Sequence, residues 1–285
     1  MRLVDEDTKE LRLDDDLLIH GDNADVLPKL PADAFELIYV DPPFNTGQHQ
    51  RRHTMKVQQD PDAARIGFGG KPYRAQVLRT MGYADTHDDY LAFLVPRLEQ
   101  ARRLLAPDGT LYFHIDYREA HYCKVLLDEI FGPECFLNEI IWAYDYGGKP
   151  KTRWPAKHDT ILVYVKDPSA YYFDNETVDR EPYMAPGLVG PEKAARGKLP
   201  TDTWWHTIVA TNGAEKTGYP TQKPEGIIRR MVQASSRPGG WCLDFFAGSG
   251  TLGAVCAKLD RRYVLVDSSA DAIAVAEQRL SALAR

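Results

Sequence analysis

The sequence has little of several features that mark whole classes of protein. It contains only four cysteines in 285 residues and no Cys-x-x-Cys pair, so we expect neither disulfides nor a zinc or other metal site. No apolar run approaches the ~20 residues that span a bilayer, which predicts no membrane insertion. The N-terminal segment MRLVDEDTKE lacks the basic-then-apolar pattern of an export signal. These absences favour a cytoplasmic globular protein.

Positive charge is also scarce, because 35 Lys and Arg residues stand against 41 Asp and Glu residues, a formal net charge of -6. Affinity for a phosphate backbone comes largely from basic residues, so this balance argues against a nucleic-acid partner. The basic residues are clustered, however. One run begins at Arg51 and Arg52, and residues 146–166 combine a single acid, Asp159, with Lys149, Lys151, Arg153, Lys157 and Lys166. Such runs are usually solvated surface, so charge alone leaves DNA binding open.

Short apolar runs alternate with segments of helical periodicity, which predicts an α/β fold with a mostly parallel sheet. The predicted strands are 17–20, 35–40, 110–115, 160–165, 241–245 and 263–266. The predicted helices are 89–105, 119–130, 224–235, 251–259 and 270–284. Residues 45–87 and 144–203 break this rhythm. Loops of that length are usually functional or mobile, so substrate contacts are expected there.

The first chemical motif is DFFAGSGT, which begins at Asp244 and joins a predicted strand directly to a small-residue turn and a helix. Glycines let the backbone approach a ligand closely, and a helix N-terminus offers free N–H groups to an anionic group. The next strand ends at Asp267, an acid placed to accept hydrogen bonds from a ribose diol. The glycines alone are equally typical of a tight turn without a ligand. Together with Asp267 they predict a nucleotide-like cofactor.

The second motif is Asp41-Pro42-Pro43-Phe44, directly after the strand at 35–40. The prolines hold the backbone rigid and leave carbonyl oxygens without internal partners. An exocyclic amine is a poor nucleophile because its lone pair is delocalised into the ring. The Asp41 carboxylate and the Pro42 carbonyl would hold the amine hydrogens and aim that lone pair at a methyl donor, while Phe44 stacks on the base. Without the cofactor motif, a rigid turn at the sheet edge would explain the same residues.

Three segments resemble the β-class amino-methyltransferases of bacterial DNA, a family that includes modification subunits of type III restriction systems. They are DPPFNTG from Asp41, TGYPTQKP at 217–224, and DFFAGSGT from Asp244. The resemblance extends over most of the chain. It implies a doubly wound, Rossmann-like methyltransferase domain, circularly permuted so that the catalytic motif precedes the cofactor motif, and formed by residues 1–143 and 204–285. It also implies S-adenosylmethionine as cofactor and the N6 amine of a flipped adenine as target.

The resemblance assigns roles to individual residues. Asp22 would lie near the cofactor adenine, Asp267 would bind the ribose hydroxyls, and Lys223 would flank the same pocket. The implied catalytic residues are Asp41, Pro42, Pro43 and Phe44. The implied cofactor-binding residues are Asp22, Asn23, Lys223, Asp244, Phe246, Ala247, Gly248, Ser249, Gly250, Thr251 and Asp267, with Phe246, Gly248 and Gly250 around the methionine portion.

In this family the target-recognition segment lies between the two motifs, where residues 144–203 are found. Aromatic and basic residues interleave there and just before it, a mixture that suits base stacking and phosphate contact; the aromatic residues are Trp142, Tyr144, Tyr146 and Trp154. A mobile loop at 45–87 would close over the flipped base. The predicted contacts to double-stranded DNA are Arg51, Arg52, Lys149, Lys151, Arg153 and Lys157. A docking loop for another subunit is the alternative, and the resemblance adds a homodimer and a restriction subunit as protein partners.

Other activities use parts of the same pattern. Methylation of cytosine N4 is the nearest alternative, but family members that act on cytosine more often carry Ser where Asp41 stands, which favours adenine. An RNA methyltransferase is a further alternative, and a non-catalytic DNA-recognition subunit would not need both motifs intact. A nicotinamide-dependent dehydrogenase would use a similar turn, yet the spacing to Gly253 fits a dinucleotide poorly.

Overall fold

The computed structural model describes residues 1–5, 7–8, 11–44, 48–59, 65–66, 72–85 and 89–283, with the backbone alone between 48 and 85. The strands are β1 (Arg2–Asp5), β2 (Leu17–His20), β3 (Phe35–Val40), β4 (Gln48–Gln59), β5 (Arg65–Ile66), β6 (Pro72–Asp85), β7 (Leu105–Ile115), β8 (Phe136–Ala143), β9 (His158–Val165), β10 (Thr203–Trp205), β11 (Trp241–Asp244) and β12 (Arg262–Asp267). The α-helices are α1 (Asn23–Val26), α2 (Tyr90–Leu104), α3 (Ala120–Phe131), α4 (Pro191–Arg196), α5 (Glu225–Ser235), α6 (Thr251–Lys258) and α7 (Ala270–Leu283). Within these described ranges, every helix is too short or too polar to span a membrane.

Nine of these strands form one sheet in the order β1-β2-β12-β11-β3-β7-β9-β8-β10. Each pairing within it is parallel except the two made by β9, which runs antiparallel to β7 and to β8. The predicted α/β fold with a mostly parallel sheet is therefore confirmed.

The central strands consist of continuous apolar residues because helices cover both faces of the sheet. In β3, Ile38 and Val40 belong to the buried cluster that includes residues of α2 and α3. Leu37 and Tyr39 belong to the opposite cluster, which includes residues of α5, α6 and α7. Successive side chains of a strand point to opposite faces, so one short segment contributes to both cores.

Residues 45–87, which the sequence predicts as a loop, contain a separate antiparallel sheet in the order β4-β6-β5. Arg51 and Arg52 lie in β4, but their side chains are outside the described part of the structure, so their contact with DNA stays a prediction. Within 144–203, β9 belongs to the main sheet, whereas every residue of 145–156 is exposed.

The strand order places the two chemical motifs at the same edge. Strands β2, β12, β11 and β3 are consecutive and parallel, so their carboxyl ends meet. Asp22, Asp267, Phe245 and Asp41 follow or end these four strands. In open α/β sheets, ligands bind at this edge.

Candidate active site

A cavity of about 430 Å³ opens at the carboxyl edge of β2, β12, β11 and β3. It brings together the whole predicted catalytic motif and all but one of the predicted cofactor residues: Asp22, Asn23, Asp41, Pro42, Pro43, Phe44, Lys223, Asp244, Phe246, Ala247, Gly248, Ser249, Thr251 and Asp267. Gly250 does not line the cavity. Two motifs from opposite ends of the sequence therefore share one site.

The turn between β11 and α6 has a backbone that only glycine adopts easily. Gly248 and Gly250 have φ angles of +49° and +70°, both in the left-handed region. A Cβ atom at position 250 would lie 2.9 Å from the Cβ of Ala276, so a side chain there would force α7 away. Gly250 thus lets the turn pack closely against α7, while Gly248 lines the cavity.

Asp267 ends β12 and is held by two backbone N–H groups. Gly248 donates to its Oδ2 and Ser269 donates to its Oδ1, each at 2.8 Å. Burial raises the pKa of this carboxyl above its ordinary value, and the two hydrogen bonds oppose that effect. A carboxylate oxygen accepts more than one hydrogen bond, so both oxygens retain capacity for a ligand hydroxyl.

Arg97 of α2 is a cavity residue that the sequence interpretation missed. Its guanidinium donates to Asn23 Oδ1 at 2.5 Å and to Asp22 Oδ1 at 3.0 Å, and Asn23 Nδ2 donates to the Phe245 carbonyl at 2.7 Å. Burial lowers the pKa of Arg97, and the Asp22 carboxylate opposes this shift. The signal was present in the sequence, because Arg97 interrupts the apolar stripe of a helix and a buried charge needs a partner.

At the other end of the cavity, the carboxylate of Asp41, the first residue of the predicted catalytic motif, forms an ion pair. Lys223 Nζ lies 2.6 Å from Oδ1 and 2.5 Å from Oδ2 of Asp41, and the two side chains are only 12% and 15% exposed. The same ammonium lies 4.7 Å from the centroid of the Phe44 ring. The sequence assigns Lys223 to the flank of the cofactor; in the structure its charged end contacts Asp41.

Asp244 is a buried carboxyl between these two ends. Its Oδ1 accepts a hydrogen bond from the Phe246 N–H at 3.0 Å. Burial raises its pKa well above the ordinary value, and the charges of Asp41 and Asp267 raise it further, while Lys223 acts in the opposite direction. Asp244 therefore takes up a proton more readily than an exposed aspartate does.

A buried hydrogen-bond chain extends from the cavity into the sheet. The Tyr39 hydroxyl lies 2.8 Å from His114 Nδ1, His114 Nε2 lies 3.2 Å from Asp159 Oδ2, and the Tyr144 hydroxyl donates to Asp159 Oδ1 at 2.9 Å. Burial raises the pKa of Tyr39 well above its ordinary value. The centroid of the His114 ring is 5.9 Å from that of Phe44, so these hydrogen-bonded residues pack against the aromatic residue of the predicted catalytic motif. Sequence patterns gave no sign of this arrangement, because its members come from separate parts of the chain.

The exposed segment 145–156 contains three predicted DNA contacts, Lys149, Lys151 and Arg153. Trp154 is 96% exposed and Tyr146 is 68% exposed, so both rings are accessible for stacking. Lys157, the fourth predicted contact in this region, also donates through Nζ to the carbonyls of Tyr146 and Gly147, each at 2.8 Å. Lys157 therefore holds the shape of this segment.

The stacking prediction is wrong for Trp142. This residue is 2% exposed, its Nε1 donates to the His206 carbonyl at 2.7 Å, and its ring centroid lies 5.6 Å from that of His114. Tyr144 is half-buried, and its hydroxyl is hydrogen-bonded to Asp159. Both side chains pack on the sheet because β8 continues to position 143, further than the basic segment suggests.

Known proteins share the sequence pattern of this chain. The N6/N4 methyltransferase family model, described as DNA methylase, matches residues 35–278. Type II methyltransferase M.HpaI of Haemophilus parainfluenzae is 29% identical over 273 residues, covering 93% of this chain and 74% of that protein. DNA adenine methyltransferase YhdJ of Escherichia coli (strain K12) is 27% identical over 271 residues, covering 92% of this chain and 82% of that protein.

The fold is also shared with a solved structure. The crystal structure of the M1.HpyAVI-SAM complex aligns with a TM-score of 0.56 at 20% identity, covering 92% of this chain and 97% of that chain. The two chains therefore share a fold.

Proposed function

This chain belongs to the N6/N4 family of DNA methylases, and we propose that it transfers a methyl group from S-adenosylmethionine to the N6 amine of an adenine flipped out of double-stranded DNA. The observation that carries the proposal is that the Asp41-Pro42-Pro43-Phe44 motif and the Gly248 turn line one cavity. A catalytic acceptor and a cofactor turn must lie this close for a methyl group to pass between them.

The cavity fits S-adenosylmethionine at its Gly248 end. The left-handed turn leaves the backbone open to a ligand, Asp267 has hydrogen-bonding capacity for ribose hydroxyls, and Asp22 lies at the end of β2 beside them. When bound, S-adenosylmethionine supplies an electrophilic methyl group. The shared fold of M1.HpyAVI, which was crystallised as a SAM complex, supports this assignment.

At the other end of the cavity, Asp41 and Pro42 prepare the amine. The Asp41 carboxylate and the Pro42 carbonyl accept the two amine hydrogens, which favours a pyramidal nitrogen with its lone pair directed at the methyl donor. Phe44 stacks on the flipped base, and the buried His114 behind it keeps the ring in place. These residues act by positioning the amine and the base, because their side chains are held in place before the base enters the cavity.

Adenine is the proposed target because Asp41 occupies the position where cytosine-specific relatives more often carry Ser. The similarity to DNA adenine methyltransferase YhdJ supports the same choice. Exposed Lys149, Lys151 and Arg153 would contact the phosphates, so the overall acidic charge is compatible with DNA binding. We further propose a cytoplasmic location, where DNA is accessible, and a homodimer or a restriction subunit as protein partner.

Methylation-aware sequencing of DNA from cells that express the protein tests the proposal directly. N6-methyladenine at a defined sequence motif is the expected product, and it also reveals the recognition sequence. N4-methylcytosine would show that cytosine is the target instead of adenine. DNA without a new modification, from cells that contain the folded protein, would contradict the proposed activity.

Asp41→Ala is expected to lower the methylation rate by ~10²–10³-fold, because it removes a positioned acceptor at the reacting amine. Affinity for S-adenosylmethionine should stay nearly unchanged, since Asp41 lies at the other end of the cavity. Asp41→Asn is the matched control: it keeps the size but replaces one acceptor oxygen by an NH₂ group, so its rate should fall as well. More than about a tenth of wild-type turnover in Asp41→Ala, a loss below ~1.4 kcal/mol, would remove Asp41 from the reaction.

A further inference from the structure

The ion pair between Asp41 and Lys223 places a hydrogen-bond acceptor and a donor side by side inside the cavity. Nζ is 2.6 Å and 2.5 Å from the two carboxylate oxygens. The backbone of Lys223 is held by two helices. Its carbonyl accepts a hydrogen bond from Thr251 Oγ1 of α6 at 3.3 Å, and the next residue, Pro224, is the N-cap of α5. The backbone of Lys223 is therefore anchored beside α5 and α6, and the ion pair holds its charged end at Asp41.

Neither side chain uses all of its hydrogen-bonding positions in this ion pair. An ammonium has three N–H donors, and Asp41 takes two of them. Among the described residues, no further hydrogen bond of Nζ is formed. A carboxylate has about four lone-pair positions, of which the ammonium occupies one on each oxygen. One donor and several acceptor positions thus remain for a ligand in the cavity.

A neighbouring acceptor and donor match one edge of an amino-substituted base. On adenine, the N6 amine donates and the adjacent ring nitrogen N1 accepts; on guanine and thymine, the corresponding positions are a carbonyl oxygen and an N–H group. Base flipping frees this Watson–Crick edge from its partner strand. We propose that Lys223 is a specificity residue that donates a hydrogen bond to adenine N1 while Asp41 accepts from N6. This assignment rests on the proposed function.

Lys223 also disfavours guanine and thymine, whereas cytosine, with its N4 amine next to the ring acceptor N3, offers the same pattern as adenine. Guanine or thymine would direct a ring N–H at the ammonium and a carbonyl oxygen at the carboxylate, so both contacts would become repulsive and desolvated. Nζ lies 4.7 Å from the centroid of the Phe44 ring, so the donor is close to the residue on which the base is proposed to stack. Asp41 alone would hold an amine, whereas the pair recognises an amine next to a ring acceptor.

The test uses DNA duplexes that carry the methylated sequence motif with adenine, 1-deazaadenine or 7-deazaadenine at the target position. The wild-type enzyme should lose ~10–100-fold in kcat/KM on 1-deazaadenine, the range of one good base contact, and little on 7-deazaadenine. Lys223→Met should be impaired on adenine by a similar factor and should no longer distinguish 1-deazaadenine from adenine. Lys223→Arg keeps a donor and should retain part of the discrimination.

The outcomes separate this inference from the proposed function. Methylation of adenine by the wild-type enzyme establishes the activity independently of Lys223. An equal loss on 1-deazaadenine in wild-type and Lys223→Met would overturn the N1 contact, as would a larger loss on 7-deazaadenine. Calorimetry with S-adenosylmethionine is the folding control: Lys223→Met should bind it as wild-type does. Weakened cofactor binding with unchanged discrimination between adenine and 1-deazaadenine would show that Lys223 contacts the cofactor instead of the base.

Discussion

Three carboxylates at one sheet edge differ in their surroundings, and therefore in what they can do. Asp41 faces an ammonium, Asp267 accepts two backbone N–H groups, and Asp244 is buried with one backbone donor. The first can hold an amine, the second can accept ligand hydroxyls, and the third resists ionisation. Each role predicts a different effect of substitution.

Asp267→Ala should weaken binding of S-adenosylmethionine by ~1–3 kcal/mol, because the ribose hydroxyls lose a charged acceptor. Isothermal titration calorimetry measures this directly. Glu277→Ala, an exposed acid on the neighbouring α7, is the matched control and should leave the affinity unchanged. Equal affinities for wild-type and Asp267→Ala would remove Asp267 from the site.

Asp244→Asn should stabilise the protein at neutral pH and leave it unchanged in acid. Burial raises the folded-state pKa of Asp244, so the folded protein holds a proton that the unfolded chain releases. Stability from this group is present below the unfolded pKa and is lost as the pH rises through the folded pKa. The difference in melting temperature between Asn and Asp should therefore grow from acid to neutral pH. Parallel melting curves across that range would contradict the assignment.

The sequence revealed site residues whose role depends on a local motif, such as Asp41 and Gly248. It did not reveal the partner of Asp41, because an ion pair between positions 41 and 223 depends on how β3 packs against α5. The partners of Arg97 and His114 could not be read from the sequence for the same reason. Asp22 and Asn23 contact Arg97, and Tyr39 and Asp159 contact His114, so all of these partners are distant in the chain.

At the scale of elements, the β11–α6 turn is the most constrained connection. Gly250→Ala should lower the free energy of unfolding by at least ~1–2 kcal/mol, because φ is +70° and the new Cβ would lie 2.9 Å from Ala276. Urea denaturation measures the change. Gly148→Ala is the control, since nothing lies within 4 Å of a Cβ there. Equal unfolding midpoints for the two variants would contradict the strain.

Strands buried on both faces were predicted well, and β2 and β3 match the expected residues. The strands missed are those with exposed residues: β1, β8 and β10 lie toward the edges of the sheet and lack a continuous apolar run. The segments of β4 and β6 are rich in polar residues, so neither alternation nor an apolar run marks them. These two strands are stabilised by pairing with each other, a long-range contact that the local sequence pattern does not show.

For the whole molecule, local charge should matter more than net charge. Lys149→Ala together with Lys151→Ala should weaken DNA binding at every sequence and lower the slope of log affinity against log salt by about 2. Fluorescence anisotropy over a salt series measures both. Arg2→Ala with Arg12→Ala removes the same charge beside the opposite edge strand, β1, and should have little effect. Loss of cofactor binding in the lysine variant would show that the segment is misassigned.

The strand order has a consequence for synthesis of the chain. β11 and β12 lie between β2 and β3, so β2 pairs only with β1, and β3 only with β7, until residues 241–267 supply the second neighbour of each. Contacts of such long sequence separation form late and slowly. While the ribosome is still translating, β2 and β3 expose apolar edges, which are surfaces that chaperones bind and that promote aggregation. A translation product that stops before Trp241 lacks the centre of the sheet and half of the site, so it would be degraded rather than act on DNA.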